Sequence, residues 1–160
     1  MTKNRVIVII ALVLVLLGVR YQVALNRQTE SDEQQIASLI QRGESGVERK
    51  NAREAMSIVS KDYKDSIGMT YRVMQIRVAN ALDSAENPDV TITQPVIRTN
   101  GDEGTMQFHV RVVDRRNDTN LFEHDMTLQL RKEKLHKYLI FTSHEWRVTS
   151  TQGLEGALGM

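Results

Sequence analysis

Two histidines, His124 and His144, interrupt stretches in which apolar residues recur at every second position. Imidazole is the side chain whose proton moves near neutral pH. Strand pairing at positions that sum to 268 would set the two directly opposite each other, with Cβ atoms about 5 Å apart, close enough to share a ligand or relay a proton. A metal ion needs a third ligand, and Glu123, Asp125 and Glu145 fall on the opposite face by strand alternation. No metal and no cofactor are therefore expected. General acid/base work by His124 and His144 is the chemistry that remains, weighed against ordinary hydrogen bonding at a pocket rim.

A second cluster, Asp62, Tyr63 and Asp65, combines carboxylates with a phenol. Short polar residues around one aromatic in a connector more simply cap the next element and anchor the loop through the ring. A third set, His109, Arg111, Asp125, Glu145 and Arg147, falls on one strand face. Arg111 is expected to pair with Asp125, and Glu123, Glu145 and Arg147 are expected nearby. Such a face serves as a solvated surface or as a protein contact, including a homodimer through the sheet. Asn117-Asp118-Thr119 matches a glycosylation acceptor but sits where a hairpin turn is expected.

Composition narrows the function classes. The 160 residues suffice for one domain with a core, 26% are charged, and no cysteine is present, which removes disulfides, thiol nucleophiles and zinc–thiolate sites. Lys3, Arg5 and Arg20 are the only charges in the first 25 residues, which leaves the remainder with 18 basic and 20 acidic side chains. Such a surface lacks the cationic excess that phosphate backbones require, so no nucleic acid partner is expected.

Residues 6–19 are fourteen uncharged, almost wholly aliphatic residues behind Lys3 and Arg5. A full span needs about 20 residues, and Tyr21, Val23, Ala24 and Leu25 extend the run if Arg20 snorkels to the headgroups. Cleavage after Ala24 would place Gln22 where a small residue is wanted. The expectation is an uncleaved single-pass membrane anchor over 6–25 after a tail at 1–5. The N-terminus is then cytoplasmic and the domain extracytoplasmic.

A linker at 26–30 leads into a domain over 31–150, followed by a flexible tail at 151–160. Ser31 with Gln34 forms a capping box, and Ile36, Leu39, Ile40 and Val47 line one face of the first helix, with Gly43 and Gly46 expected to loosen it. Asn51 with Glu54 opens a second helix, from Ala52 to near Ser60. Thr70 opens a third, carrying Tyr71, Met74, Val78, Ala81 and Leu82 until Asn87 and Pro88. From Val90 the period becomes two, giving strands over 90–98, 105–114, 121–131 and 138–149. Turns are expected at Asn100-Gly101, 116–120 and 133–137. The fold class is α+β: a transmembrane helix, then three helices packed on a curved antiparallel four-stranded sheet.

Three helices, a four-stranded meander and the connector Ser60-Lys61-Asp62-Tyr63-Lys64-Asp65-Ser66-Ile67-Gly68 resemble the nuclear transport factor 2-like, ketosteroid-isomerase-like superfamily. Many members carry a Ser-x-Asp-Tyr-x-Asp-x-x-Gly connector between their second and third helices. The resemblance implies a cone-shaped fold with a pocket open at one end, here formed by Tyr71, Met74, Phe108, Phe122, His124, Met126, His144 and Trp146. It also implies several possible uses: enzymes, ligand binders, or dimeric interaction modules, some of them domains of single-span secretion scaffolds. The cavity-facing carboxylate of the isomerases has no counterpart here. The expected function is a membrane-anchored, non-enzymatic module that binds a protein partner or a small apolar ligand. The alternative is a small lyase or isomerase using the two pocket histidines.

Overall fold

The structure is a computed structural model that describes residues 31–137 and 141–153. The chain divides into two compact units, Met1–Gln35 and Ile36–Met160. The expected anchor at 6–25, the tail at 1–5, the linker at 26–30 and residues 154–160 lie outside the described residues. Among the described residues no helix is long and apolar enough to cross a membrane.

Helix α1 (Asp32–Glu48) opens on the capping box anticipated from its sequence: Gln34 N–H donates to Ser31 Oγ at 3.3 Å, and Ser31 N–H to Gln34 Oε1 at 3.0 Å. Its buried stripe contains Ile36, Leu39 and Ile40, together with both internal glycines. Those glycines do not loosen the helix; they let the next segment approach. A Cβ on Gly43 would meet Ile58 Cδ1 at 2.6 Å, and one on Gly46 would stand 2.7 Å from Ala55 Cα. Helix α2 (Ala52–Ala55) is capped by Asn51 Oδ1, which accepts from Glu54 N–H at 3.2 Å. It lasts only four residues before a 3₁₀ turn (Met56–Ile58). Val59, expected in this helix, instead bridges to Val148.

Helix α3 (Tyr71–Ser84) starts after Thr70, whose side chain makes no cap hydrogen bond. It turns Tyr71, Met74 and Val78 half inward and buries Leu82, while Val73 and Ile76 stay exposed.

Strands β1 (Pro88–Asn100), β2 (Glu103–Asp114), β3 (Thr119–Lys137) and β4 (Phe141–Gln152) form one antiparallel meander in chain order. Asn100 and Glu103 close the first hairpin over Gly101, whose φ of 61° favours a residue without a Cβ. Three irregularities break the alternation. Gln94 (φ 53°) and Pro95 together oppose Phe108, an edge-strand bulge that disposes of the missing proline donor. Leu121 is the extra residue of β3, and Thr149 that of β4. The last flips the phase, so Trp146 and Val148 are buried and so is Thr151. β4 therefore runs into what was expected to be the tail.

The core gathers Ile36, Leu39 and Ile40 of α1, Tyr63 and Met69 of the connector, and Met106, Phe108, Val110, Met126, Leu128, Leu130, Trp146 and Val148 of the sheet. Gly104 makes room above the sheet, because a Cβ there would lie 3.1 Å from Trp146 Cζ3 and 3.2 Å from Ile36 Cδ1. The parity assigned to β2, and to β3 from Met126 on, is observed. The turn expected at 133–137 is not: those residues are strand, and β3 is 19 residues long.

Candidate functional site

The longer third strand changes the site. Lys134 pairs with His144 and Lys137 with Phe141, so partners sum to 278 rather than 268. His124 opposes Val110 instead. Ten residues of β3 separate His124 from the partner of His144, which at 3.3 Å per residue is roughly 30 Å. The side-by-side pair expected for general acid/base work is not formed. His144 is exposed and His124 is half-buried. Among the described residues no three His, Cys, Asp or Glu side chains stand together as a metal-ion site.

The other residues expected to line a pocket divide by depth. Phe108, Met126 and Trp146 are buried parts of the core, while Tyr71, Met74 and Phe122 are half-buried against it. Tyr71 is overlaid by Lys61, with Nζ 3.7 Å from the ring centroid. An open depression of about 300 Å³ is lined by Asn120, Leu121, Phe122, Glu123 and His124. The Leu121 bulge leaves that side chain 46% exposed there, and the rings of Phe122 and His124 lie 5.1 Å apart at a 58° tilt. The start of β3, where β4 does not pair with it, thus presents the Leu121 side chain, the Phe122 ring and the His124 imidazole beside the polar groups of Asn120 and Glu123.

The connector is structural. Tyr63 is 2% exposed, and its hydroxyl donates to Asp65 Oδ2 at 3.2 Å and receives the Thr151 hydroxyl at 2.5 Å. Burial pushes the phenol up to about 12. Asp65 Oδ1 accepts from Ile67 N–H at 3.1 Å and Met69 N–H at 2.7 Å. Ser60 Oγ donates to Glu133 Oε1 at 2.6 Å and accepts from Asp62 N–H at 3.0 Å. Ser60 N–H and Lys64 N–H add to the edge of β4 at Val148 O and Thr149 O. The motif is a latch that closes that edge.

The outer face is two clusters rather than one. His109 Nδ1 lies 2.8 Å from Asp125 Oδ1 and Nε2 3.3 Å from Glu123 Oε1, and hydrogen bonding first to Asp125 and then to Glu123 raises its pKa. Arg111 pairs with Glu123 at 3.6 Å, not with Asp125, because these two are directly opposite in the register. Glu123 also accepts from Asn120 Nδ2 at 2.6 Å, and its pKa is lowered chiefly by the His109 contact. Glu145 and Arg147 bond to each other at 2.9 Å and oppose Glu133 and Arg131. Eight residues of β3, roughly 25 Å, separate them from the first cluster. In the turn at 115–118, Thr119 N–H donates to Asn117 Oδ1 at 3.3 Å and Asp118 has φ 52°, which is the turn chemistry expected of that triplet.

Asp114 was not singled out from the sequence. It is buried, and its carboxylate accepts from the N–H groups of Glu86 (2.7 Å), Asn87 (3.1 Å) and Arg116 (3.1 Å), clamping the end of α3 to the end of β2. The Glu86 bond leads the causes that lower its pKa. An Asp closing a strand ahead of a polar turn was the available signal.

Three helices ahead of a four-stranded antiparallel meander give the chain the cystatin-like, nuclear transport factor 2-like fold. Known structures carry the same fold. The chain is similar to a protein of unknown function with a cystatin-like fold from Nostoc punctiforme, at 18% identity and a TM-score of 0.60 over 76% of this chain and 89% of that one. A nuclear transport factor 2-like protein of unknown function from Pseudomonas putida matches at 12% identity and 0.55, over 74% and 82%. The helical cell shape determining protein Pgp2 from Campylobacter jejuni matches at 11% and 0.57, over 76% of this chain but only 41% of that one. No protein-family model matches the chain, and no curated protein matches it in sequence.

Proposed function

We propose that the chain is a membrane-anchored, non-enzymatic binding module that takes an apolar surface, from a protein partner or a small ligand, at the depression on β3. The observation that carries this reading is the arrangement of Leu121, Phe122 and His124 around an open concavity, while His144 stands on a distant part of the hairpin. The lyase or isomerase alternative required the two histidines together, and it loses that geometry. A homodimer through the outer face would have to desolvate His109, Arg111, Glu123 and Asp125, which already satisfy one another.

The membrane assignment rests on the sequence: residues 6–25 as an uncleaved span, the N-terminus cytoplasmic and the domain extracytoplasmic. The occurrence of this fold as one part of a cell-shape-determining protein supports its use as an accessory module in a larger assembly. The test is crosslinking and affinity purification of the full-length protein from its native membrane, with Leu121→Ser as comparison. Stoichiometric partners that are lost in the variant support the module. An unchanged set of partners places the contact elsewhere.

A further inference from the structure

β3 changes neighbours along its length. β2 pairs with it from Thr119 to Arg131, whereas β4 pairs with it only from Thr127 to Lys137. Among the described residues, the first part of β3 therefore keeps one edge open. The depression lies along that edge. Its lining is five consecutive residues, Asn120 to His124, and successive side chains of a strand point to opposite faces. A concavity on either face would meet only alternate residues. One that meets all five runs beside the backbone, and β2 already occupies the other side.

The main chain is turned toward this opening. A Cβ on Gly153, just past the end of β4, would run into the Asp125 carbonyl oxygen, so Asp125 directs its main-chain groups to the β4 side. The two-residue period gives Glu123 the same direction. Its N–H and C=O are the groups that a further strand pairs with. The outer edges of the sheet are managed differently. β1 carries the bulge at Gln94 and Pro95, and β4 is joined by the connector at Val148 and Thr149. Thr119 to Met126 contains neither a proline nor a lysine, the residues that commonly blunt an edge.

We propose that this edge accepts an extended segment of a partner protein as an added strand, a mode of binding that rests on the reading of the depression as the contact site. Side chains fix the chemistry of the segment. Phe122 and His124 share one face of β3, with ring centroids 5.1 Å apart. Asn120 and Glu123 share the other, hydrogen-bonded to each other at 2.6 Å. An added strand meets both faces, so its alternate side chains are apolar, for the two rings and the exposed Leu121, and hydrophilic, for Asn120 and Glu123. Length argues against a second copy of this chain. The depression spans five residues, about 17 Å, against about 20–30 residues a side in a stable dimer.

The test adds a capped peptide of alternating valine and threonine, flanked by lysines, to the full-length chain. Three forms are compared: unmodified, N-methylated at every valine, and N-methylated at every threonine. The valine and threonine N–H groups of an extended peptide point to opposite edges. Strand addition therefore requires one methylated form to bind like the parent and the other at least about tenfold more weakly, as backbone hydrogen bonds are lost. The Glu123 amide, fast to exchange in the chain alone, should slow about tenfold when the parent peptide binds. Equal binding of all three forms overturns strand addition and leaves an apolar contact at the depression intact. Binding of none overturns the added strand, and the depression then stands on the loss of partners in Leu121→Ser. A Glu123 amide already protected in the chain alone, by residues after Gly153 or by a second copy, overturns the open edge.

Discussion

The two sides of β3 and β4 use their side chains in opposite ways. At the connector, Ser60, Tyr63, Asp65, Thr151 and Glu133 are buried or half-buried and each polar group meets a partner. At the start of β3, Leu121 is pushed out by a bulge, and Phe122 and His124 stay half-exposed beside an open depression. Burying polar groups costs stability unless every one is paired, so the first region reads as scaffold. Phe122 still packs against the core, so it is the exposed Leu121 beside the depression that carries the proposed contact.

Substitutions can break or sharpen that contrast. The largest loss is expected from Tyr63→Ala, about 3–5 kcal/mol in chemical denaturation as a fully buried aromatic is removed. Tyr63→Phe keeps the ring but leaves Asp65 and Thr151 short of a partner, and should cost about 1–3 kcal/mol. Gly46→Ala forces a methyl against the backbone of Ala55 and is expected to lose at least about 1–3 kcal/mol, measured the same way. If it stabilised the protein, the close approach of α1 and α2 would be wrong.

Smaller effects should appear in the pH dependence of stability. Asp114 has a lowered folded-state pKa, so its contribution is present above the ordinary carboxylate value of about 4 and is lost as pH falls through the depressed value. His109 has a raised one, so its contribution is present below about 6.5 and is lost as pH rises through the raised value. Asp114→Asn should flatten the acid limb of a stability–pH profile and His109→Gln the neutral-to-alkaline limb. The smallest stability change belongs to Leu121→Ser, within about 0.5 kcal/mol of zero, since the side chain is half exposed. A large loss there would make the rim part of the core.

Much of this architecture was legible from residue patterns. The capping pairs Ser31/Gln34 and Asn51/Glu54, the Asn100-Gly101 hairpin and the inward parity of Met106, Phe108 and Val110 follow from local chemistry that tertiary contacts do not override. The register of β3 and β4 was not legible, for a physical reason. Glu133 to Lys137 is so charged that it reads as a turn, yet it continues β3 and pairs with β4. The sequence between Lys137 and Phe141 carries no Gly, Asn, Asp or Pro, the residues that signal a turn. That shift of ten in the pairing sum moved His144 away from His124 and split the outer charges into two clusters. Bulges at Leu121 and Thr149 depend on neighbouring strands, and no pattern within one strand announces them.

The sheet holds His124 and His144 apart, so they do not form an acid/base pair. The chain has no cysteine, so replacing His124 and His144 with Cys allows spin labels to be placed at those two positions alone. Pulsed electron resonance on the folded full-length chain should give a separation of roughly 30 Å, as ten residues along β3 require. A separation near 10 Å or below would contradict the register and restore the catalytic pair.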